Sequence, residues 1–352
     1  MGPGALPYTI SGTAYLTGPY KGAPFGVAVI VPAVTGPFDL GTVVVRQALY
    51  INPTTAQVTD VSDPFPTIRD GIPLRIRRVK VTVDRPEFAL NPTSCNPMAL
   101  DGTISSVHGA GANVSSRFQV ASCASLKFTP RLTALTRANG EFAGHGASLH
   151  MVILSPAGQA NIRSLKVDLP QRLPARLETI QHACPERIFH ASPAACPKAS
   201  VVGSAIVQTP ILSTSMAGPA YLVSKSGSGT THPGESKTEK EEAAFPDLVL
   251  VLQGEGVRID LTGGLFVSAK NITSVAFRSI PDVPIRRLDL VLPEGKTSIL
   301  AASSGLCTKK PLLMTSAITG QNGARLKPVV KVGVDGCKHK RPKRGKKKRR
   351  RK

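Results

Sequence analysis

Few residues in this chain carry reactive groups at the spacings that chemistry demands. The seven histidines, His108, His145, His150, His182, His190, His232 and His339, are scattered among turns, loops and strand edges. His182 and His190 flank Cys184, the one place where an imidazole could activate a thiol nucleophile. A disulfide from Cys184 to Cys196 would remove that thiolate, so a structural role is expected for the group. Asp39 and Asp260 stand at matching places in two similar stretches and could suggest a cation site, but turn or strand-edge hydrogen bonding accounts for them more simply. The G-x-S-x-G, H-E-x-x-H, P-loop and G-x-G-x-x-G patterns are absent. The expectation is a protein that is not an enzyme, with no catalytic, cofactor-binding or metal-binding residue.

The cysteines point to oxidation instead. Cys95, Cys123, Cys184, Cys196, Cys307 and Cys337 form no C-x-x-C pair and have no histidine at zinc-finger spacing. Six cysteines allow fifteen pairings. Order along the chain favours Cys95–Cys123, Cys184–Cys196 and Cys307–Cys337, and each such bridge is worth roughly 3–4 kcal/mol in the chain-entropy account.

The strongest charge signal is the end of the chain. Lys338, Lys340, Arg341, Lys343, Arg344, Lys346, Lys347, Lys348, Arg349, Arg350, Arg351 and Lys352 hold 12 of the 44 basic residues, which leaves 32 against 22 acids elsewhere, a net of +10 out of +22. Such a run cannot collapse, so residues 338–352 are expected to be a disordered polyanion-binding tail. It would bind nucleic acid non-specifically in vitro at low salt through counterion release. It has no aromatic residues with which to read bases. No apolar run reaches the roughly 18–20 residues of a membrane-spanning helix. MGPGALPYTI lacks the basic and apolar parts of a secretory signal.

The elements that position these residues are strands. Hydrophobic residues are 41% of the 352, charged residues 19%, and 32 Gly with 30 Pro punctuate the chain about every 8–12 residues. Val79, Val81 and Val83 alternate with Arg78, Lys80 and Thr82, and Leu165, Val167 and Leu169 alternate with Lys166 and Asp168. That period of two marks strands with one face in a core. The one helical candidate is 174–184, with Leu177, Ile180 and Cys184 on one face and Pro185 as its stop.

Internal repetition organises the strands. SGTAYL (11–16) matches AGPAYL (217–222), FDLG (38–41) matches IDLT (259–262), and IPLRIRRVKVTVDRPE (72–87) is echoed by VPIRRLDLVLPE (283–294). Arg77, Arg78 and Val79 align with Arg286, Arg287 and Leu288. A cysteine pair then follows in each copy, which predicts a two-strand hairpin stapled at its base. The second copy is preceded by some 85 residues that the first lacks, so the first copy reads as a module without its front half. The chain itself then reads as the C-terminal part of a longer repeat protein. The predicted fold is all-β, tandem antiparallel sandwiches: a truncated module at 1–127, a strand region at 128–172, a second module at 173–337 with a polar insertion at 224–244, and the tail at 338–352.

The order LPQRLPARLETIQHAC, ASPAACPKASVVGSA, GPAYLV, DLVLVLQGEG, IPDVPIRRLDLVLPEG, LC and ITGQNG resembles uncharacterised, secreted, repeat-bearing β proteins of actinobacteria, often with a Lys/Arg-rich C-terminus. The resemblance implies an exported multi-module β protein and transfers no catalytic or binding residue. With the tail, it sets the expected function: a structural or adhesive protein of the cell envelope, anchored to anionic cell-wall polymers or lipid headgroups. The alternative is a basic protein whose purpose is to bind nucleic acid or another polyanion.

Overall fold

The computed structural model describes residues 8–35, 37–83, 85, 89–138, 146–225 and 245–337. The chain first forms a four-stranded antiparallel sheet in sequence order: β1 (Thr13–Thr17), β2 (Phe25–Thr35), β3 (Phe38–Ile51) and β4 (Val58–Ser62). Two separate ribbons follow. The short one pairs β5 (Ile68–Arg69) with β6 (Ile72–Pro73), and the long one pairs β7 (Met98–Ser105) with β8 (Gly111–Phe118).

The remaining strands are β9 (Arg131–Arg137), β10 (Leu149–Leu154), β11 (Ile162–Asp168), β12 (Cys184–Pro185), β13 (Val201–Gln208), β14 (Met216–Ser224), β15 (Asp247–Gly254), β16 (Val257–Val267), β17 (Thr273–Phe277), β18 (Arg287–Leu292), β19 (Leu312–Gly320), β20 (Arg325–Leu326) and β21 (Val329–Asp335). Eleven of them close into a barrel, in the order β11, β17, β16, β15, β14, β13, β18, β10, β9, β21, β19 and back to β11. Every neighbour in the ring is antiparallel except the parallel pair β9 and β21.

This corrects the tandem-sandwich expectation. Alternation says that one face of each strand is buried, but a sandwich and a closed barrel bury that face equally well. What decides between them is pairing between distant segments. Residues 128–172, read from sequence as a lead into the second module, supply β9, β10 and β11, and β11 seals the ring by pairing with both β17 and β19. Closure leaves none of the eleven strands with an open edge.

The interior is a packed apolar core. In β10, β18 and β13 the inward rows are Met151, Leu290 and Ala205, then Ile153, Leu288 and Val207, all buried. A cavity of about 30 Å³ remains among apolar side chains that include Met151, Leu250, Phe277 and Leu290. It is large enough to admit water but offers it no polar partner. Close backbone packing explains two glycines in the wall. A Cβ at Gly218 would stand 1.8 Å from the Val251 carbonyl oxygen, and one at Gly203 would stand 2.3 Å from that of Val291.

The helical expectation at 174–184 shrinks to one turn, α1 (Leu177–Ile180), and a second short helix, α2 (Glu186–Ala191), lies beyond it. Leu177 is exposed, so the expected apolar face is not formed. Arg176 caps α1 without a side-chain bond, and the Thr179 hydroxyl is drawn to the Ser298 carbonyl oxygen at 2.6 Å. Pro185 does not stop a helix; it occupies the cap position that starts α2. Among the described residues no helix is long and apolar enough to cross a membrane.

Candidate functional site

The three disulfides are Cys95–Cys123, Cys184–Cys196 and Cys307–Cys337, the sequential pairing expected from chain order. Cys95–Cys123 closes the base of the β7–β8 ribbon, and Cys307–Cys337 brackets β19 to β21. The first and third bridges therefore staple equivalent hairpins. Cys184–Cys196 ties the start of α2 to the loop before β13, against a small cluster of Phe189, Tyr221, Val223, Val249 and Val251.

The residues that invited catalytic readings do not converge. Cys184 is bonded and buried, so no thiolate is available beside His182 and His190. His190 sits on α2 with its Nε2 3.5 Å from Glu186 Oε1. Asp39 accepts the Gly41 N–H at 2.9 Å, a local turn bond, whereas Asp260 is held by Arg258 at 2.6 and 2.9 Å. The two matching aspartates thus serve different local contacts. Among the described residues no group of three or more His, Cys, Asp or Glu side chains could hold a metal ion. His145, His232, His339, most of the 224–244 insertion and all twelve basic residues of the tail lie outside the described residues.

Two polar constellations carried no sequence signal. On the outer face of the barrel, Arg287 chelates Asp289, and His150 Nε2 lies 3.1 Å from Asp289 Oδ1. Hydrogen bonding from Arg287, opposed by burial and aided by the His150 contact, holds the Asp289 carboxyl below the usual carboxylate range. Arg287 in turn is pushed up, first by its bond to Asp289. At the other constellation, Asp282 receives four donors. The Thr93 and Ser94 N–H groups donate to Oδ2 at 2.7 and 2.8 Å, and the Thr93 hydroxyl and Asn161 Nδ2 donate to Oδ1 at 2.7 and 2.8 Å. Partners up to 189 residues apart meet there, so no local pattern could have revealed it. This carboxylate latches the start of the first stapled hairpin to the barrel. The Asp260 N–H, which donates to the Pro53 carbonyl oxygen at 2.8 Å, adds a second tie.

A further feature is an exposed apolar surface on the N-terminal part. Its sheet, β1 to β4, has the same order and sense as β14 to β17 of the barrel. Ala33, Leu40, Val45 and Ala48 are buried, but many of the sheet's larger apolar side chains stand in solvent: Tyr15, Leu16, Phe38, Val44, Val58 and Val61 are all exposed. Tyr15, aligned with Tyr221 by the match of SGTAYL to AGPAYL, is 53% exposed where Tyr221 is 8%. The expected strand at 79–83 is also corrected. Val79, Val81 and Val83 are 58%, 65% and 58% exposed and lie in no strand, whereas the aligned Leu288, Leu290 and Leu292 are 8%, 3% and 5% exposed in β18. Beside them Arg75, Arg77, Arg78, Lys80 and Arg85 are exposed too. No protein-family model matches this chain, and no curated protein matches it in sequence.

Proposed function

We propose that the chain is a non-enzymatic, exported structural or adhesive β-repeat protein of the cell envelope, whose tail, 338–352, holds anionic cell-wall polymers or lipid headgroups. The observation that carries this reading is the set of three disulfides, one stapling each equivalent hairpin and one pinning the α2 region. Structural disulfides persist in oxidising compartments and are rare where thiols are kept reduced. Asp282 and Asp289 are engaged in contacts that hold segments together, the latch to Thr93 and Ser94 and the strand-to-strand contact with His150, which suits a structural role. The test is alkylation of protein from its native source with and without reduction, followed by intact mass. Six thiols alkylated only after reduction support export. Six free thiols place the protein inside the cell and reject the reading.

A second reading, binding of nucleic acid or another polyanion as the main task, is favoured by one further observation. The folded body carries its own exposed basic stretch at Arg75, Arg77, Arg78, Lys80 and Arg85. Deleting 338–352 separates the two: binding to duplex DNA at physiological salt that survives the deletion belongs to the body and favours this second reading.

A further inference from the structure

The chain contains its own template for what covers the exposed N-terminal surface. In the barrel, β14 to β17 form a meander, β18 runs elsewhere in the wall between β10 and β13, β19 lies beside β11, and β21 lies beside β9. All four of those supporting strands, β9, β10, β11 and β13, come from residues 131–208. The N-terminal part repeats the supported half in order: the meander β1 to β4, the alternating stretch at 77–83, and the stapled β7–β8 hairpin. Among the described residues it repeats none of the supporting half. Val79, Val81 and Val83 are exposed, and the neighbours that bury Leu288, Leu290 and Leu292 have no counterpart among the described residues.

We propose that the N-terminal part is a strand acceptor, completed by a front-half polypeptide of the residue 131–208 type. That occupant inserts strands on both sides of residues 77–83 and converts the open sheet into a second barrel. A second copy of this chain is the poorer donor, since its own 131–208 strands are sealed into a ring by the β11–β17 and β11–β19 pairings. The outer face defines the occupant further. Lys80 stands where the barrel has Asp289, which pairs with Arg287 and His150. Neighbours that fit around Lys80 and Arg78 therefore carry carboxylates where β10 carries His150. Recognition is by strand addition: backbone hydrogen bonds supply affinity and the inward valines set the register.

The test joins a second copy of residues 128–215 ahead of Ser11 of the full chain and follows amide exchange over residues 74–83. Exchange there is expected to slow by about 100-fold or more, as for a strand brought into a cooperatively closed sheet. Val81→Asp in the fused protein is expected to restore fast exchange. Register is read separately. Thr82→Cys, at the position aligned with Val291, is expected to form a disulfide with His150→Cys in the added copy, because His150 faces Val291 in the barrel. Exchange that stays fast, together with no such disulfide, overturns the proposal. So does the unfused chain forming a dimer that already protects residues 74–83, which makes a second copy the occupant.

Discussion

Replacing Asp282 with Asn tests what holds the two halves of the molecule together. The carboxylate accepts from Thr93 N–H, Ser94 N–H, the Thr93 hydroxyl and Asn161 Nδ2, all between 2.7 and 2.8 Å. An amide keeps the shape but offers one acceptor oxygen, and its NH₂ then faces two donors that nothing satisfies. Hydrogen bonds to a charged group are worth about 1.5–3 kcal/mol each. The site is part-buried, so the lower figure applies, and loss of two bonds amounts to about 3 kcal/mol. At about 1.4 kcal/mol per factor of ten, local opening around residues 93–94 becomes about 100-fold more frequent. Exchange of the Thr93 and Ser94 amides, followed by mass spectrometry on a peptide covering them, should accelerate by that factor. The barrel should melt as before, because its closure runs through β11, β17 and β19 rather than through Asp282. Thr93→Ala removes only one donor and should give a smaller acceleration. Unchanged exchange at both amides in the Asp282→Asn protein refutes the latch. A large drop in the barrel's melting temperature refutes the claim that the latch is peripheral to the ring.

Two further outcomes follow from the same structure. Leu290→Ala truncates a side chain that is 3% exposed and borders the existing 30 Å³ cavity, and it should cost about 2–5 kcal/mol of barrel stability in denaturant melts; the aligned Val81→Ala should change stability by less than about 0.5 kcal/mol while its neighbours are absent. For Asp289, whose folded pKa is depressed by Arg287, then His150, the contribution is present above the ordinary aspartate range near pH 4 and is lost as pH falls through the lower folded value. The stability gap between the parent and Asp289→Asn should therefore be full at neutral pH and close only in strong acid, and a gap independent of pH rejects the assignment.

Strand content was legible because period-two alternation is a local property. Leu165, Val167 and Leu169 announce a half-buried strand and are buried. The disulfide pairing was legible because each bridge closes a segment that stays together along the chain. The barrel was not legible, since its closure depends on β11 meeting β19 about 150 residues later, and no residue in either strand names its partner. The helical spacing of Leu177, Ile180 and Cys184 predicts a longer helix than the one-turn α1, where the Thr179 hydroxyl donates to the Ser298 carbonyl oxygen. The Asp282 latch is of the same kind as the closure: four ordinary donors become a site only when the fold brings them to one carboxylate.

The aligned stretches at 77–83 and 286–292 show where that limit lies physically. Both alternate, both begin with two arginines, and either alone predicts a strand. Only the second is one, because β10 and β13 supply its hydrogen-bond partners and cover Leu288, Leu290 and Leu292. A β pattern states what a segment can bury and leaves open whether a neighbour exists to bury it. In this chain the two cases share the alternation and the two leading arginines, and the buried one is the one that has paired neighbours among the described residues. The arginines and Lys80 beside the exposed valines take their meaning from the same fact. On the proposed readings they would offer a basic surface to polyanions while the stretch is open, and in a completed barrel they would face carboxylates on a neighbouring strand, as Asp289 faces His150 across the β18–β10 pair. The two proposals would then be competing uses of one stretch, and occupancy of the acceptor should lower any salt-sensitive polyanion affinity measured for the body.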